Sequence, residues 1–441
     1  MTQAGDVASH DGVGRGLRQG VLRRPGRPAG RAARQDRVRL TVLGGSAPAT
    51  VQLVEALATD DEAPSSKDQD GGVLGPVELV LHGRSPARLD AVAGAARLRA
   101  DALGLRMLVR TETSRAAALD GARVVLNQIR PGGLAGRSFD ESFPRAFGVP
   151  GEETLGPGGL ACAVRAVPAL RPVWADVERY CPDALLINLT NPAGIVTQAA
   201  RAEFGLPVVS VCDVPADLLR RAAGEPARYL GMNHVGWFVP RSAGELSALT
   251  GLVAGLDEEL PLLHGALPCA YLRYYAHPDR MLAAQRGRPT RADELRELAE
   301  SSLRGFARGE IPPSWPRPAP WYSLVVVPLA RAWLAGSPEP LVVGLPNAGR
   351  VPWLHDDVIV EGPALVSAPG QIEALPVVSL PDLPRGILGS HAAFERLAAL
   401  TLAAGPPGRA DLVRILLANP MVTSLDQARN LAAAIAASAG L

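Results

Sequence analysis

The chain has 441 residues, with 45 Lys and Arg against 44 Asp and Glu and a formal net charge of +1. That balance excludes a generic nucleic-acid binder and leaves no field to draw the chain onto an anionic membrane. With 47% hydrophobic residues and a length beyond the point where one core stops growing, two closely joined domains are expected. Four cysteines (Cys162, Cys181, Cys212 and Cys269) are too few for a disulfide scaffold. Reduced thiols, and hence the cytoplasm, are the expectation. No run approaches the 18 or so apolar residues of a membrane span.

Residues 1–37 hold eight arginines, many glycines and few large apolar side chains, which predicts a disordered arm. Order is expected from the apolar run Val38-Arg39-Leu40-Thr41-Val42-Leu43, which passes through Gly44-Gly45-Ser46 into helical spacing over residues 50–57. Residues 59–76 read as an acidic surface loop. Strands follow at 77–81, 107–109, 123–126, 184–188 and 208–211, separated mainly by helical patterns such as 86–100. Alternation of this kind predicts a doubly wound, Rossmann-like parallel α/β sheet over residues 38–211. After residue 212 the alternation fails. A second α+β domain over 212–441 is expected, with a strand-like run at 341–344 and helices near 292–308, 391–403, 409–417 and 425–437.

The glycine turn at Gly44, Gly45 and Ser46 would bring backbone N–H groups to a pyrophosphate at a helix N-terminus. An ordinary tight turn is the alternative. The second strand ends in His82-Gly83-Arg84-Ser85, without the carboxylate that usually holds the adenosine ribose. Arg84 and Ser85 would instead suit a 2′-phosphate, so NADP stands beside NAD. Three more strand ends carry polar clusters at the edge where ligands gather: Asn127-Gln128-Ile129-Arg130, Asn188-Leu189-Thr190-Asn191-Pro192 and Cys212-Asp213-Val214-Pro215. A thiolate at Cys212 and an imidazole at His234, completed by ligand oxygens, would suit a divalent transition metal. A core cysteine with a hydrogen-bonded histidine is the alternative, and Tyr271 taken alone reads as a core or interface aromatic.

Together these segments resemble glycoside hydrolase family 4, the NAD- and metal-dependent 6-phosphoglycosidases, whose fold is akin to lactate and malate dehydrogenases. The resemblance runs from about residue 38 to the C-terminus. It is most specific in Asn127-Gln128-Ile129-Arg130, Gly132-Gly133-Leu134, Gly156-Pro157-Gly158-Gly159, Asn188-Leu189-Thr190-Asn191-Pro192 and the Cys212 and Asn233-His234 segments. It implies that Cys212 and His234 hold Mn²⁺ or another divalent ion and that NAD oxidises C3 of the sugar. Tyr271 then removes the C2 proton, and Asp213 serves as the acid. Water adds and the hydride returns. It also implies that Asn191 binds sugar hydroxyls, that Arg130 and Arg291 bind the phosphate, and that Gly44, Gly45, Ser46, Arg84 and Asn127 face the cofactor. The implied partner is a small sugar phosphate or glycoside, and the implied assembly is a homodimer or homotetramer.

The chain departs from the family pattern at Ser46-Ala47, Val51, Gly83 and Arg317-Pro318-Ala319-Pro320-Trp321, corners that serve the cofactor and the phosphate. Two rival readings follow: an NAD(P)- and metal-dependent sugar oxidoreductase, and a sugar or nucleotide sensor without turnover.

Overall fold

A computed structural model describes residues 37–60, 76–335, 339–368 and 371–441. The expected arm at 1–37 and loop at 59–76 lie almost wholly outside them.

Twelve strands form one sheet. The first six are β1 (Val38–Leu43), β2 (Val77–His82), β3 (Met107–Glu112), β4 (Val124–Asn127), β5 (Leu185–Asn188) and β6 (Val208–Ser210). They pair in parallel in the order β3-β2-β1-β4-β5-β6, the strand order of a dinucleotide-binding sheet. β2, β4, β5 and β6 are buried along their whole length, as strands covered on both faces must be, and so their sequences read as near-continuous apolar runs. The order reverses between β1 and β4, which opens the crevice where such sheets take ligands.

The sheet does not stop there. β7 (Tyr229–Met232), β8 (Val235–Phe238), β9 (Leu267–Pro268), β10 (Glu339–Pro346), β11 (Ile359–Ala368) and β12 (Gln371–Ala374) continue it antiparallel. The joint is β6 against β10, with Ser210 opposite Gly344. The α+β segments expected after residue 212 are therefore partly strands of the same sheet.

Two apolar clusters flank it. One surrounds the 25-residue helix Gly156–Tyr180 and includes the hairpin β7–β8 and the C-terminal helices; the other lies under the Val51–Asp60 and Pro86–Ala102 helices. The helix expected at 391–403 is longer, Asp382–Ala404, and packs on the Ala193–Phe204 helix that follows β5. Its first turns contain Pro384, Gly386 and Gly389, which disguised it as loop.

Candidate active site

At the nucleotide edge the turn after β1 is as tight as its glycines require. Gly44 has φ +88°, and a Cβ there would come within 2.9 Å of the Gln128 carbonyl oxygen. A Cβ on Gly45 would meet Leu81 at the same distance. The N–H groups of the two glycines donate to the His82 carbonyl at 3.1 and 2.8 Å, so they hold the turn's own shape. The helical segment that follows begins at Pro48, which has no N–H, and has no side-chain cap; Thr50 N donates to Ala47 O at 2.9 Å, which leaves the Ala49 N–H of its first turn without a partner among the described residues. Ser46 offers the turn's free polar side chain, its hydroxyl lying 3.3 Å from where a Gly83 Cβ would stand. Arg84 is exposed and has no partner among the described residues. Ser85 caps the Pro86–Ala102 helix, accepting from Arg88 N at 3.4 Å.

Asn127 ends β4 at the same edge. Its amide donates to Asn188 Oδ1 at 3.0 Å and it is 2% exposed, so it ties β4 to β5 beneath the crevice rather than presenting a side chain. Asn191 lies above, half-buried, with its amide free of protein partners among the described residues, just before a cis peptide bond to Pro192.

The second edge is built on the hairpin β7–β8, closed by Asn233 and His234. Both have positive φ, 27° and 74°, as a two-residue hairpin turn demands. Asn and His visit that region more readily than most residues, yet strain there costs about 1–3 kcal/mol each. Burial lowers the His234 pKa to about 4, so the imidazole is neutral, the form that ligates metal. Its Nδ1 is buried without a partner.

Cys212 caps the Asp213–Ala222 helix, its sulfur accepting from Val214 N at 3.4 Å. Burial, with Glu361 and Asp213 nearby, holds the thiol proton well above its ordinary range. A cation is what such a sulfur lacks to become a thiolate. Tyr271, on the short turn Ala270–Leu272 after β9, stacks on His234 with ring centroids 4.1 Å apart and planes 11° from parallel. Burial, Glu152 and Cys212 raise its phenol. Imidazole and phenol are thus in contact, and the Cys212 sulfur lies within electrostatic reach of the phenol. Among the described residues no group of three or more His, Cys, Asp and Glu is set to hold a metal. The orphaned His234 nitrogen and the Cys212 sulfur fit a two-residue site completed by ligand oxygens.

Asp213, beside Cys212, has its carboxyl raised by burial, with Arg317 opposing, and so keeps a proton longer than a surface aspartate. Arg130 is ion-paired to Glu153, Arg137 to Glu153 and Glu141, and Arg291 to Glu294. Arg317 converges on the same place without a carboxylate partner among the described residues. Burial and the like charges of Arg137, Arg130 and Arg291 all disfavour its cation. Its backbone is clasped by Gln52, which donates to Arg317 O at 3.0 Å and accepts from Ala319 N at 2.8 Å, and its guanidinium lies 5.2 Å over Trp321.

Sequence reasoning missed several residues that shape this cleft: Glu152, its carboxyl pushed up to about 7 by burial and Glu153; Glu361, pushed up to about 8 by burial and Glu395; and the buried pair His391 and Glu395. None stands in a motif that singles it out in the sequence, and only the fold brings these carboxylates and His391 together.

Residues 70–223 match the family 4 glycosyl hydrolases and residues 229–422 match the C-terminal domain of the same family. The chain belongs to glycosyl hydrolase family 4. A probable 6-phospho-beta-glucosidase of Bacillus subtilis is 26% identical over 424 residues, covering 88% of this chain and 93% of that protein. A maltose-6′-phosphate glucosidase of the same organism is 26% identical over 362 residues, 73% of this chain and 80% of the relative. The fold matches that of a 6-phospho-beta glucosidase from Thermotoga maritima, solved with NAD and glucose-6-phosphate, at TM-score 0.78 and 23% identity, covering 91% of this chain and 98% of the other. A 6-phospho-alpha-glucosidase from gut microorganisms, solved with the same two ligands, reaches 0.78 at 20% identity, covering 91% and 97%.

Proposed function

We propose that the protein cleaves 6-phosphoglucosides through a redox-assisted elimination, with NAD at the parallel edge and a divalent ion, Mn²⁺ by kinship, between Cys212 and His234. The observation that carries this reading is the stack of Tyr271 on His234 with Cys212 close by, in a chain of family 4. When bound, the ion supplies Lewis acidity and the nicotinamide accepts and returns a hydride. The chain's own residues do the rest. Tyr271 takes the proton from C2 of the sugar. Asp213 donates one to the departing oxygen at C1. Asn191 binds sugar hydroxyls with its unspent amide. Arg317, the guanidinium without a carboxylate, is our first choice for the phosphate, with Arg130 and Arg291 reaching it by exchanging their acidic partners.

The lack of a carboxylate at Gly83 and the unpaired Arg84 favour a second cofactor reading, NADP, which cofactor titration separates from NAD. We also propose that residues 38–211 act as the nucleotide half and 212–441 as the sugar and metal half. Four buried cysteines, none in a disulfide among the described residues, suit a cytoplasmic setting, and kinship suggests self-association as a dimer or tetramer. No helix of the described residues is long and apolar enough to cross a membrane.

The test is hydrolysis of nitrophenyl 6-phosphoglucosides of both anomers and of their unphosphorylated counterparts, with and without Mn²⁺ and NAD⁺. Hydrolysis that stops on chelation or cofactor removal is the expected result. Turnover indifferent to both overturns the mechanism, and release of NADH in proportion to product identifies a sugar oxidoreductase instead.

A further inference from the structure

Glu395 lies on the Asp382–Ala404 helix, 1% exposed, at the meeting of three segments that carry the site. Its Oε1 accepts from Asn233 Nδ2 at 3.1 Å and so grips the residue before His234 inside the positive-φ turn. Its Oε2 has no hydrogen-bond partner and faces Gly194, in the first turn of the helix that follows Asn191-Pro192; any Cβ on residue 194 would overlap that oxygen. One turn earlier on the same helix, His391 is 0% exposed and sets Nε2 3.5 Å from Glu395 Oε1, while its Nδ1 stands 3.2 Å from the Tyr275 hydroxyl. Tyr275 is four residues beyond Tyr271, which stacks on His234. Contacts thus run from Asn233 through Glu395 and His391 to Tyr275, and the chain itself joins Asn233 to His234 and Tyr275 back to Tyr271, which stacks on His234.

A side chain needed only to fill this space would be apolar, because a buried carboxylate is costly unless its bonds are used. Here one oxygen is bonded to the element that aims His234, and the other is pressed against the turn that follows Asn191, where only a glycine fits. We propose that Glu395 is a positioning residue that fixes the His234 hairpin, the Asn191 turn and, through His391 and Tyr275, the Tyr271 segment in one mutual arrangement. It touches none of the reacting atoms. The inference rests on the roles given above to His234 and Tyr271.

The experiment uses the full chain and four variants: Glu395→Ala, Glu395→Gln, Asn233→Gly, which removes the amide while tolerating the turn's φ, and the double variant Glu395→Ala/Asn233→Gly. Mn²⁺ affinity is read by electron paramagnetic resonance without substrate, alongside thermal melting and kcat and KM on the nitrophenyl 6-phosphoglucoside. Loss of Glu395 in the Ala variant is expected to weaken Mn²⁺ binding about ten- to a hundredfold, the usual effect of removing a ligand's supporting partner. We expect kcat to fall more than KM changes. Glu395→Gln regains most of the affinity, since its carbonyl accepts the same Asn233 bond. The Asn233→Gly loss does not add to that of Glu395→Ala.

Wild-type Mn²⁺ affinity in a folded Glu395→Ala chain, or additive losses in the double variant, overturns the inference alone. Should Glu395→Ala not fold, the inference falls if Asn233→Gly keeps full affinity or Glu395→Gln loses it. A wild-type chain that binds no Mn²⁺ removes the reading of Cys212 and His234, and the positioning role with it.

Discussion

At the parallel edge of the sheet the N–H groups of Gly44 and Gly45 are bonded to His82, and the amides of Asn127 and Asn188 to each other. At the hairpin edge Nδ1 of His234, Oδ1 of Asn233 and Oε2 of Glu361 are buried with no protein partner. The first edge spends most of its polar groups on its own shape, with His82 Nδ1 an exception, and offers a ligand chiefly the Ser46 hydroxyl. The second holds polar atoms that no described residue satisfies, groups whose hydrogen-bonding a ligand could use, each worth about 1–3 kcal/mol when it is met. Binding chemistry should therefore be most sensitive at the hairpin, and substitutions at the parallel edge should change selectivity more than rate.

The hardest trial of that contrast is Cys212→Ala or His234→Ala. Several kcal/mol of Lewis-acid stabilisation disappears, so hydrolysis should fall at least about a thousandfold. In the wild type, Mn²⁺ at a hundred times its Kd should raise folding stability by about 2.7 kcal/mol, visible as a higher melting temperature, and in either variant it should not. Tyr271→Phe should cost roughly a hundredfold or more in turnover. Exchange of the sugar C2 proton with deuterated solvent should disappear while cofactor binding persists.

Glu152 sharpens the comparison through pH. Its folded-state pKa is raised from 4.5 to about 7, so the folded chain holds the proton more tightly than the unfolded chain does. Its contribution to stability is then full below about pH 4.5 and lost as pH rises through 7, a change of about 3 kcal/mol for this group. Glu152→Gln, whose carbonyl can still accept from the N–H groups of Thr154 and Leu155, should melt higher than wild type at pH 8 and much the same at pH 4.5.

Arg317→Ala should raise KM for phosphorylated substrates by about tenfold, the loss of one charge-assisted bond, and leave unphosphorylated ones unchanged. The smallest effect belongs to the parallel edge. Arg84→Ala should weaken NADP⁺ binding a few-fold, as an exposed charge pair allows, with little change for NAD⁺, measured by quenching of protein fluorescence.

The parallel strands were legible because strands buried on both faces are apolar runs that end in Gly, Asn or Cys at the crevice. β7 and β8 were not, because four-residue strands with a glycine each, joined by Asn233-His234 instead of a glycine-containing turn, carry little periodic signal. Cys212, His234, Tyr271 and Asp213 could be named from local motifs and their likeness to a family. Glu395, 162 residues from the Asn233 it holds, could not, since a single carboxylate on a long helix reads as solvated surface. The glycine turn could be located from the sequence, but no local pattern shows that the His82 carbonyl accepts from both of its glycine amides.

The seam where β6 meets β10 has a mechanical consequence. Gly344 lies so close to Ser210 that a methyl group there would overlap its hydroxyl, and two residues after Ser210 comes the sulfur of Cys212. One sheet runs from the parallel strands through β10 and β11 to the hairpin β7–β8, so a clamshell hinge along this line would have to break the β6–β10 pairing. On the proposed function, entry and exit of substrate would fall to the loops at the rim, and the spacing between the cofactor and the Cys212 thiol would be set when the chain folds rather than when it binds.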